Sequence, residues 1–353
     1  MSESQPEVRM KDIAVALGCS VATVSLALRN DFRISEAMRA RVTLQARKMG
    51  YKPNPLVSSL IAYRRKPGHS EAGTLAVLTK FGVLQNRWKF DDYFYFYSRL
   101  WNGLVERSAE LGFRVEEVPL AGTENEGNKL TRIFRTRGIK GIILFPGGPL
   151  HQPYPAMDWR HFSVVAAAFH SEELPVHRVA SDHAQAMKTA IQHVVALGYR
   201  RPGLALTPFL DPGIRFAMSG RFLAWQQGIA PDLRVPLIES KAPELDRKAF
   251  ELWVRRHQPD VILSLTDEHY GWLRAMKSQK ASRIDFVHLA KKENSPLAGV
   301  NLRSHEVGRS VINTLARELY LNHSDIPKVP ELILVSGEWQ DGHSVRRKIA
   351  TDK

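Results

Sequence analysis

The sequence predicts an N-terminal all-α helix-turn-helix head with a hinge helix, followed by an α/β core of mostly parallel, doubly wound sheet. Three observations carry that prediction. Apolar residues recur at helical spacing near the start of the chain, broken by a glycine where two helices would turn. Residues 1–70 hold 12 Lys and Arg against 5 Asp and Glu, which is +7 of the chain's +14. From about residue 72 onward, short apolar runs alternate with amphipathic stretches, the pattern of strands followed by helices.

In the head, Ile13, Ala14 and Leu17 share one helical face, and Gly18 ends the pattern at a point that needs a tight turn. Ser20 is suited to N-cap a second helix, whose inner side is Val24, Ala27 and Leu28. Two short helices joined by a turn containing glycine make a helix-turn-helix. The outward positions of the second helix are then Val21, Ala22, Ser25, Leu26 and Arg29, the set that would face a DNA major groove. Such spacing also fits a generic three-helix bundle. Charge separates the two readings, because a concentrated cationic field on a small helical unit is what phosphate neutralisation requires.

Further on, Asn54 suits an N-cap and Pro55 the first helical turn, where a missing N–H is no loss. The following LVSSLIAY spans about two turns, too few to hold a helix alone in water. A hinge helix over about 54–62 therefore needs a partner or DNA to pack against. Residues 63–72, basic and containing Pro and Gly, read as a linker.

At 353 residues the chain exceeds one ordinary domain, and 44% hydrophobic content suits a globular core. No stretch approaches the roughly eighteen apolar residues that cross a bilayer, and the N-terminus lacks the basic-then-apolar layout of a secretory signal. Cys19 is the single cysteine, which excludes an internal disulfide and fits a reducing cytoplasm. The runs TLAVLTK, FRVEEVPL, KGIILFP, SVVAAAF, PGLALT, DVILSL and IDFVHLA read as buried or half-buried strands. Helices are expected near 94–111, 125–137, 183–197, 216–228, 244–257, 268–279 and 304–321.

Residues 8–66 resemble the DNA-binding head of the lactose-repressor and galactose-repressor (LacI/GalR) family of bacterial transcription regulators. The matching pieces are KDIAVALGCS, ATVS, the RISEAMRARV helix start and MGYKPNP, in order and at the family's spacing. The resemblance implies that the helix from Val21 to Leu28 enters the major groove and that the Thr23 and Ser25 hydroxyls contact phosphates. It also implies that hinge helices from two subunits sit together in the minor groove, with Leu60 as the apolar wedge between base pairs. One departure bears on specificity. Leu26 stands where members often carry a polar or basic residue, and Arg29 where they carry Asn. Val, Ala and Leu read no donor–acceptor pattern but can contact a thymine methyl, and the position of Arg29 favours a phosphate.

Residues 72–345 resemble, more loosely, the family's effector-binding and dimerisation core, which is built like periplasmic sugar receptors. The pieces are TRGIKGIILFP, RVASDHAQAMKTAIQHVVALGYRR, QPDVILSLTDE, AGVNLRSHEVGRSVINTL and LVSGEWQDGHSV. Two α/β lobes are implied, with crossovers near 170–180 and 300 and a cleft at the strands' carboxyl ends. Asp267 directly follows a strand, with Thr266 in place of the Asn of the family's Asn-Asp pair; it either touches a ligand or N-caps the next helix. Arg215 lies where the family commonly has a ligand-gripping arginine, although Ala217 stands where a glycine is usual. Trp225, on the same predicted helix, can stack on a sugar or serve the core. His288, Leu289 and Ala290 stand where the family has Gly-aromatic-Asp, so a ligand-binding carboxylate is missing and a standard hexose effector is in doubt.

Enzyme signals are weak. FPGGP at 145–149 lacks the Lys-Ser/Thr partner of a phosphate cradle. Asp267, Glu268 and His269 are consecutive, as are Ser181, Asp182 and His183, and consecutive residues point in different directions rather than at one metal or one substrate. No catalytic residue, metal or cofactor is expected. The expected function is a cytoplasmic, sequence-specific transcription regulator, a repressor by preference, that binds a pseudo-palindromic operator as a homodimer. Two-fold symmetry doubles the contacts that one short recognition helix can make. A carbohydrate-like effector would modulate it from the cleft. The alternatives are a regulator with a vestigial cleft and a solute-binding receptor, and the basic head argues against the second.

Overall fold

The structure, a computed structural model, describes residues 8, 10–28, 34–51, 73–80, 95–123, 125–147, 153–169, 174–206, 210–238 and 245–348. Arg29, Asn54 and Leu60, with the whole expected hinge helix and basic linker, lie outside the described residues.

The head contains α1 (Met10–Leu17), α2 (Val21–Leu28) and α3 (Glu36–Lys48). Gly18 takes φ +64°, a left-handed conformation that only glycine adopts without strain, and Cys19 N–H closes the turn on the Ala14 carbonyl at 3.0 Å. The first two helices then meet at 107°. Ser35 caps α3 by accepting from Met38 N–H at 3.4 Å. Ile13, Ala14, Val24, Ala27, Val42 and Ala46 are the buried core, with Leu17 and Leu28 partly buried against it.

The remaining elements form two sheets, each in its own lobe. Lobe 1 has β1 (Gly73–Thr79), β2 (Phe113–Pro119), β3 (Gly141–Leu144), β4 (Ser163–Ala167), β5 (His177–Ser181) and β10 (Leu332–Val335). All are parallel, in the order β10-β5-β4-β3-β1-β2. Lobe 2 has β6 (Pro202–Ala205), β7 (Val261–Ser264), β8 (Asp285–His288) and β9 (Gly299–Asn301), all parallel, with β11 (Glu338–Gln340) antiparallel on the edge. Seven strands fall on the apolar runs. His177–Ser181, Gly299–Asn301, Leu332–Val335 and Glu338–Gln340 are strands that apolar runs do not reveal.

Helices cover both sheets: α4 (Tyr95–Glu110), α5 (Glu126–Thr136), α6 (His183–Ala196), the four-residue α7 (Leu210–Gly213), α8 (Ala217–Gln226), α9 (Arg247–His257), α10 (Asp267–Ala275), the four-residue α11 (Gln279–Ser282) and α12 (Ser304–Leu321). In lobe 1, α4 and α12 approach at two glycines. A Cβ on Gly103 would lie 2.0 Å from the His305 carbonyl oxygen, and one on Gly308 2.1 Å from that of Leu100. Leu100, Leu104, Val307, Val311 and Leu315 pack around this crossing onto Val77, Ile143 and Val165 of the sheet.

The chain crosses between lobes three times rather than twice: from β5 into α6, from β9 into α12, and from β10 into β11. Hydrogen bonds tie these crossings into one bundle. Ser181 Oγ donates to the Leu302 carbonyl at 3.2 Å, Asp182 N–H to that of Val335 at 2.9 Å, and Arg303 Nη2 to Glu338 Oε2 at 2.7 Å. The expected crossover near 170–180 falls slightly later because β5 occupies 177–181 and Asp182 caps α6, accepting from Gln185 N–H at 2.8 Å. The polar ends of β5 hide its strand character from an apolar-run reading.

Candidate DNA interface and ligand cleft

The recognition face is built from the turn outward. Ser20 Oγ accepts from Thr23 N–H at 3.0 Å, which satisfies one of the donors left open at the start of α2. The same oxygen lies 2.9 Å from Thr23 Oγ1, so the two hydroxyls form one polar cluster at the helix N-terminus. Ser20, Val21 and Ala22 are exposed, with Val21 at 44%. Thr23, Ser25 and Leu26 are half-buried, turning toward the face on which Val24 and Ala27 are buried. Six of the expected DNA-contacting residues thus share α2 or its cap, and the helix dipole there presents partial positive charge to any phosphate. Among the described residues of the head, Lys11, Arg39, Arg41, Arg47 and Lys48 add full charges.

The cleft candidates lie at the carboxyl ends of the lobe 2 strands or near them. The structure settles which residue caps α10: Thr266 Oγ1 accepts from Glu268 N–H at 3.2 Å, so Asp267 is not the cap. Asp267 instead accepts from Lys292 Nζ on Oδ2 at 2.8 Å and faces His288 Nε2 on Oδ1 at 3.3 Å. His288 Nδ1 accepts the Ala290 N–H at 3.0 Å. The ring is therefore neutral, its remaining proton on Nε2 and directed at Asp267. Burial, opposed by Asp267 and assisted by Lys292 and Lys291, pushes His288 down to about 4. Asp267 is engaged on both oxygens, a partnership that residues 25 positions apart do not advertise in sequence.

Arg215 precedes α8 with φ +58°, and Phe216 follows at +56°. Its guanidinium lies 5.3 Å from the ring centroid of Phe169, which follows β4 of the opposite lobe. Trp225 packs partly buried on the lobe 2 core, 5.7 Å from Phe222. The core role therefore accounts for its contacts. Asp267 and Thr266 stand together; Arg215 lies between α7 and α8, beyond the end of β6, and Trp225 further along α8.

Sequence reasoning missed a cluster at the lobe 1 strand ends. Arg178 is only 6% exposed and donates from Nη1 to the Ala168 carbonyl at 2.6 Å. Tyr154 donates its hydroxyl to the Phe145 carbonyl at 2.7 Å, and Lys80 Nζ stands 4.2 Å over its ring. Desolvation raises the Tyr154 hydroxyl well above its ordinary range, against the pull of Arg178. Among the described residues no group of three or more His, Cys, Asp or Glu could hold a metal ion, and no single helix is long and apolar enough to cross a membrane.

A cationic helix-turn-helix joined in one chain to a two-lobed parallel α/β core defines a DNA-binding transcription regulator. Residues 9–54 match the family described as "Bacterial regulatory proteins, lacI family". The head thus carries the DNA-binding domain of that family. It is 24% identical over 326 residues to the HTH-type transcriptional repressor CytR of Escherichia coli (strain K12), covering 89% of this chain and 90% of that one. Among solved structures, the transcriptional regulator CelR–cellobiose complex superimposes with a TM-score of 0.56 at 18% identity, covering 97% of this chain and 100% of that one. The lac repressor dimer bound to operator and the anti-inducer ONPF superimposes at 0.53, also at 18% identity, covering 95% and 98%. These likenesses establish the two-lobed fold.

Proposed function

We propose that this chain is a cytoplasmic, sequence-specific repressor that binds a pseudo-palindromic operator as a homodimer, with residues 8–66 as head and hinge and 72–345 as effector-binding and dimerisation core. The observation that carries the reading is the exposed N-terminal part of α2, with Val21 and Ala22 outward and the Ser20–Thr23 cluster at its start. Val21, Ala22 and Leu26 would touch thymine methyls and Thr23 and Ser25 phosphates, with Arg29 holding a further phosphate and Asn54 and Leu60 serving the hinge. The operator of a structural relative bound to DNA supports a two-fold site. Selection from random duplexes, followed by footprinting, should return two inverted half-sites about one or two helical turns apart. Recovery of unrelated sequences, or of a single half-site bound by a monomer, would refute it.

A small-molecule effector in the cleft is part of this reading, with Asp267, Thr266 and Arg215 as its polar contacts and Trp225 as a neighbouring aromatic. Cellobiose in the CelR complex supports a carbohydrate-like ligand for this chain. One observation favours a second reading, a vestigial cleft: Asp267 is already held by Lys292 and His288. Thermal-shift screening of sugars, sugar acids and phosphorylated sugars separates the two, since a ligand that binds only the folded state raises the melting temperature. A flat response across the panel would favour the vestigial cleft.

A further inference from the structure

The loop between β8 and β9 carries three consecutive charged side chains, and each goes to a different place. Lys291 Nζ donates to Gln340 Oε1 of β11 at 3.3 Å, and Lys292 Nζ to Asp267 Oδ2 at 2.8 Å. Glu293 leaves the lobe altogether: its Oε1 accepts from Arg99 Nη2 at 2.6 Å. The Glu293 backbone N–H donates to the Tyr95 hydroxyl at 3.1 Å. Tyr95 and Arg99 lie one turn apart at the start of α4, in lobe 1. The loop that reaches them is firmly seated in lobe 2, with Lys291 N–H on the Val300 carbonyl at 2.8 Å and Ser295 N–H on that of Lys292 at 3.1 Å.

We propose that Tyr95, Arg99 and Glu293 form a clasp across the mouth of the cleft, and that the Lys292–Asp267 pair sets the loop in the position the clasp requires. Occupancy of Asp267 is thereby transmitted to lobe closure through two adjacent residues. Lys292 and Glu293 share a peptide bond, so their α-carbons are about 3.8 Å apart and neither can shift without carrying the other. A ligand that takes Asp267 competes directly with the Lys292 ammonium. The clasp stands on its own geometry; only its trigger rests on the effector reading above. The Arg99 and Glu293 side chains remain 30% and 49% exposed, which places the pair in the range of modest ion-pair strengths. Breaking it would change the open-to-closed ratio by about 1.4- to fivefold. A strength of that order suits a switch, because two states close to balance respond to small differential contacts.

The test uses the full-length, DNA-free protein in a Cys19→Ser background, with spin labels on Arg132→Cys in α5 and Lys248→Cys in α9, both exposed and in opposite lobes. Double electron–electron resonance then reads the distance between lobes. Glu293→Gln and Arg99→Glu should each broaden the distribution and lengthen its mean, and the swapped pair Arg99→Glu with Glu293→Arg should restore it. Lys292→Gln should act in the same direction as Glu293→Gln, although its pair with Asp267 lies within lobe 2. An unchanged distribution in Glu293→Gln, or a swap no better than Arg99→Glu alone, would overturn the clasp. A response to Glu293→Gln with none to Lys292→Gln would overturn the transmission. Failure to bind any operator would count against the regulator reading and leave these distances standing.

Discussion

The buried histidine of lobe 2 makes the stability of this protein depend on pH in a window that can be worked out from its surroundings. His269 is 1% exposed, with Nδ1 2.7 Å from Ser264 Oγ and its ring stacked on Phe250 at 5.2 Å. Desolvation is the main force that pushes it from the ordinary 6.5 to about 4, with the neighbouring His288 adding to it. The folded protein thus prefers the neutral ring, whereas the unfolded chain takes up a proton below 6.5. Stability from this preference is complete above 6.5 and is lost as pH falls from there to about 4. At about 1.4 kcal/mol per pH unit, the loss across the window is about 3 kcal/mol. Burial lowers His288 as well, so both rings contribute to the acid loss of stability, and wild type should show a steeper slope than His269→Phe. Urea unfolding at a series of pH values, followed by the fluorescence of the adjacent Trp272, measures both slopes. Equal slopes for wild type and His269→Phe would show that the ring is not the proton-linked group.

Three further outcomes are expected. Ser20→Ala removes the cap of α2 and should cost about 1 kcal/mol of head stability, lowering operator affinity; an unchanged affinity in fluorescence anisotropy would mean that DNA does not depend on the capped geometry. Gly308→Ala places a methyl 2.1 Å from the Leu100 carbonyl oxygen and should destabilise lobe 1 by about 1–3 kcal/mol, seen as a lower melting temperature; an unshifted transition would show that the two helices separate at no cost. Asp267→Ala should abolish any effector-dependent change in operator binding while preserving effector-free binding, so loss of the latter would reveal a structural role for the Lys292 pair.

Much of the architecture is legible in the sequence because burial imposes periodicity. Val24 and Ala27 are buried where helical spacing puts them, and six of the seven apolar runs are strands buried by helices on both faces, while the seventh, β2, is a half-buried edge strand. β5 is the instructive exception. All five of its residues are buried, yet His177 and Arg178 interrupt the apolar pattern. His177 Nδ1 accepts the Glu331 N–H at 3.0 Å, and Arg178 is bonded to the Ala168 carbonyl, so distant backbone makes each burial tolerable. At the cleft, a strand ending before Asp267 is readable, whereas the choice of Thr266 as cap and the pairing with Lys292 are not. Both depend on where the chain folds back, which local patterning does not encode.

The third crossing has a consequence for the order in which the molecule can be made. Both lobes take their last strands from the closing stretch of the chain, β10 for lobe 1 and β11 for lobe 2, separated only by Ser336 and Gly337. Neither sheet can therefore be finished before this stretch is in place. Until those strands emerge, β5 in lobe 1 and β9 in lobe 2 present unpaired edges, a hazard for association between nascent chains. Termination after residue 331 would leave both lobes open at once, and limited proteolysis of such a chain should cut in both sheets rather than in one. Completion of the two sheets therefore falls to one short stretch of chain shared by both halves.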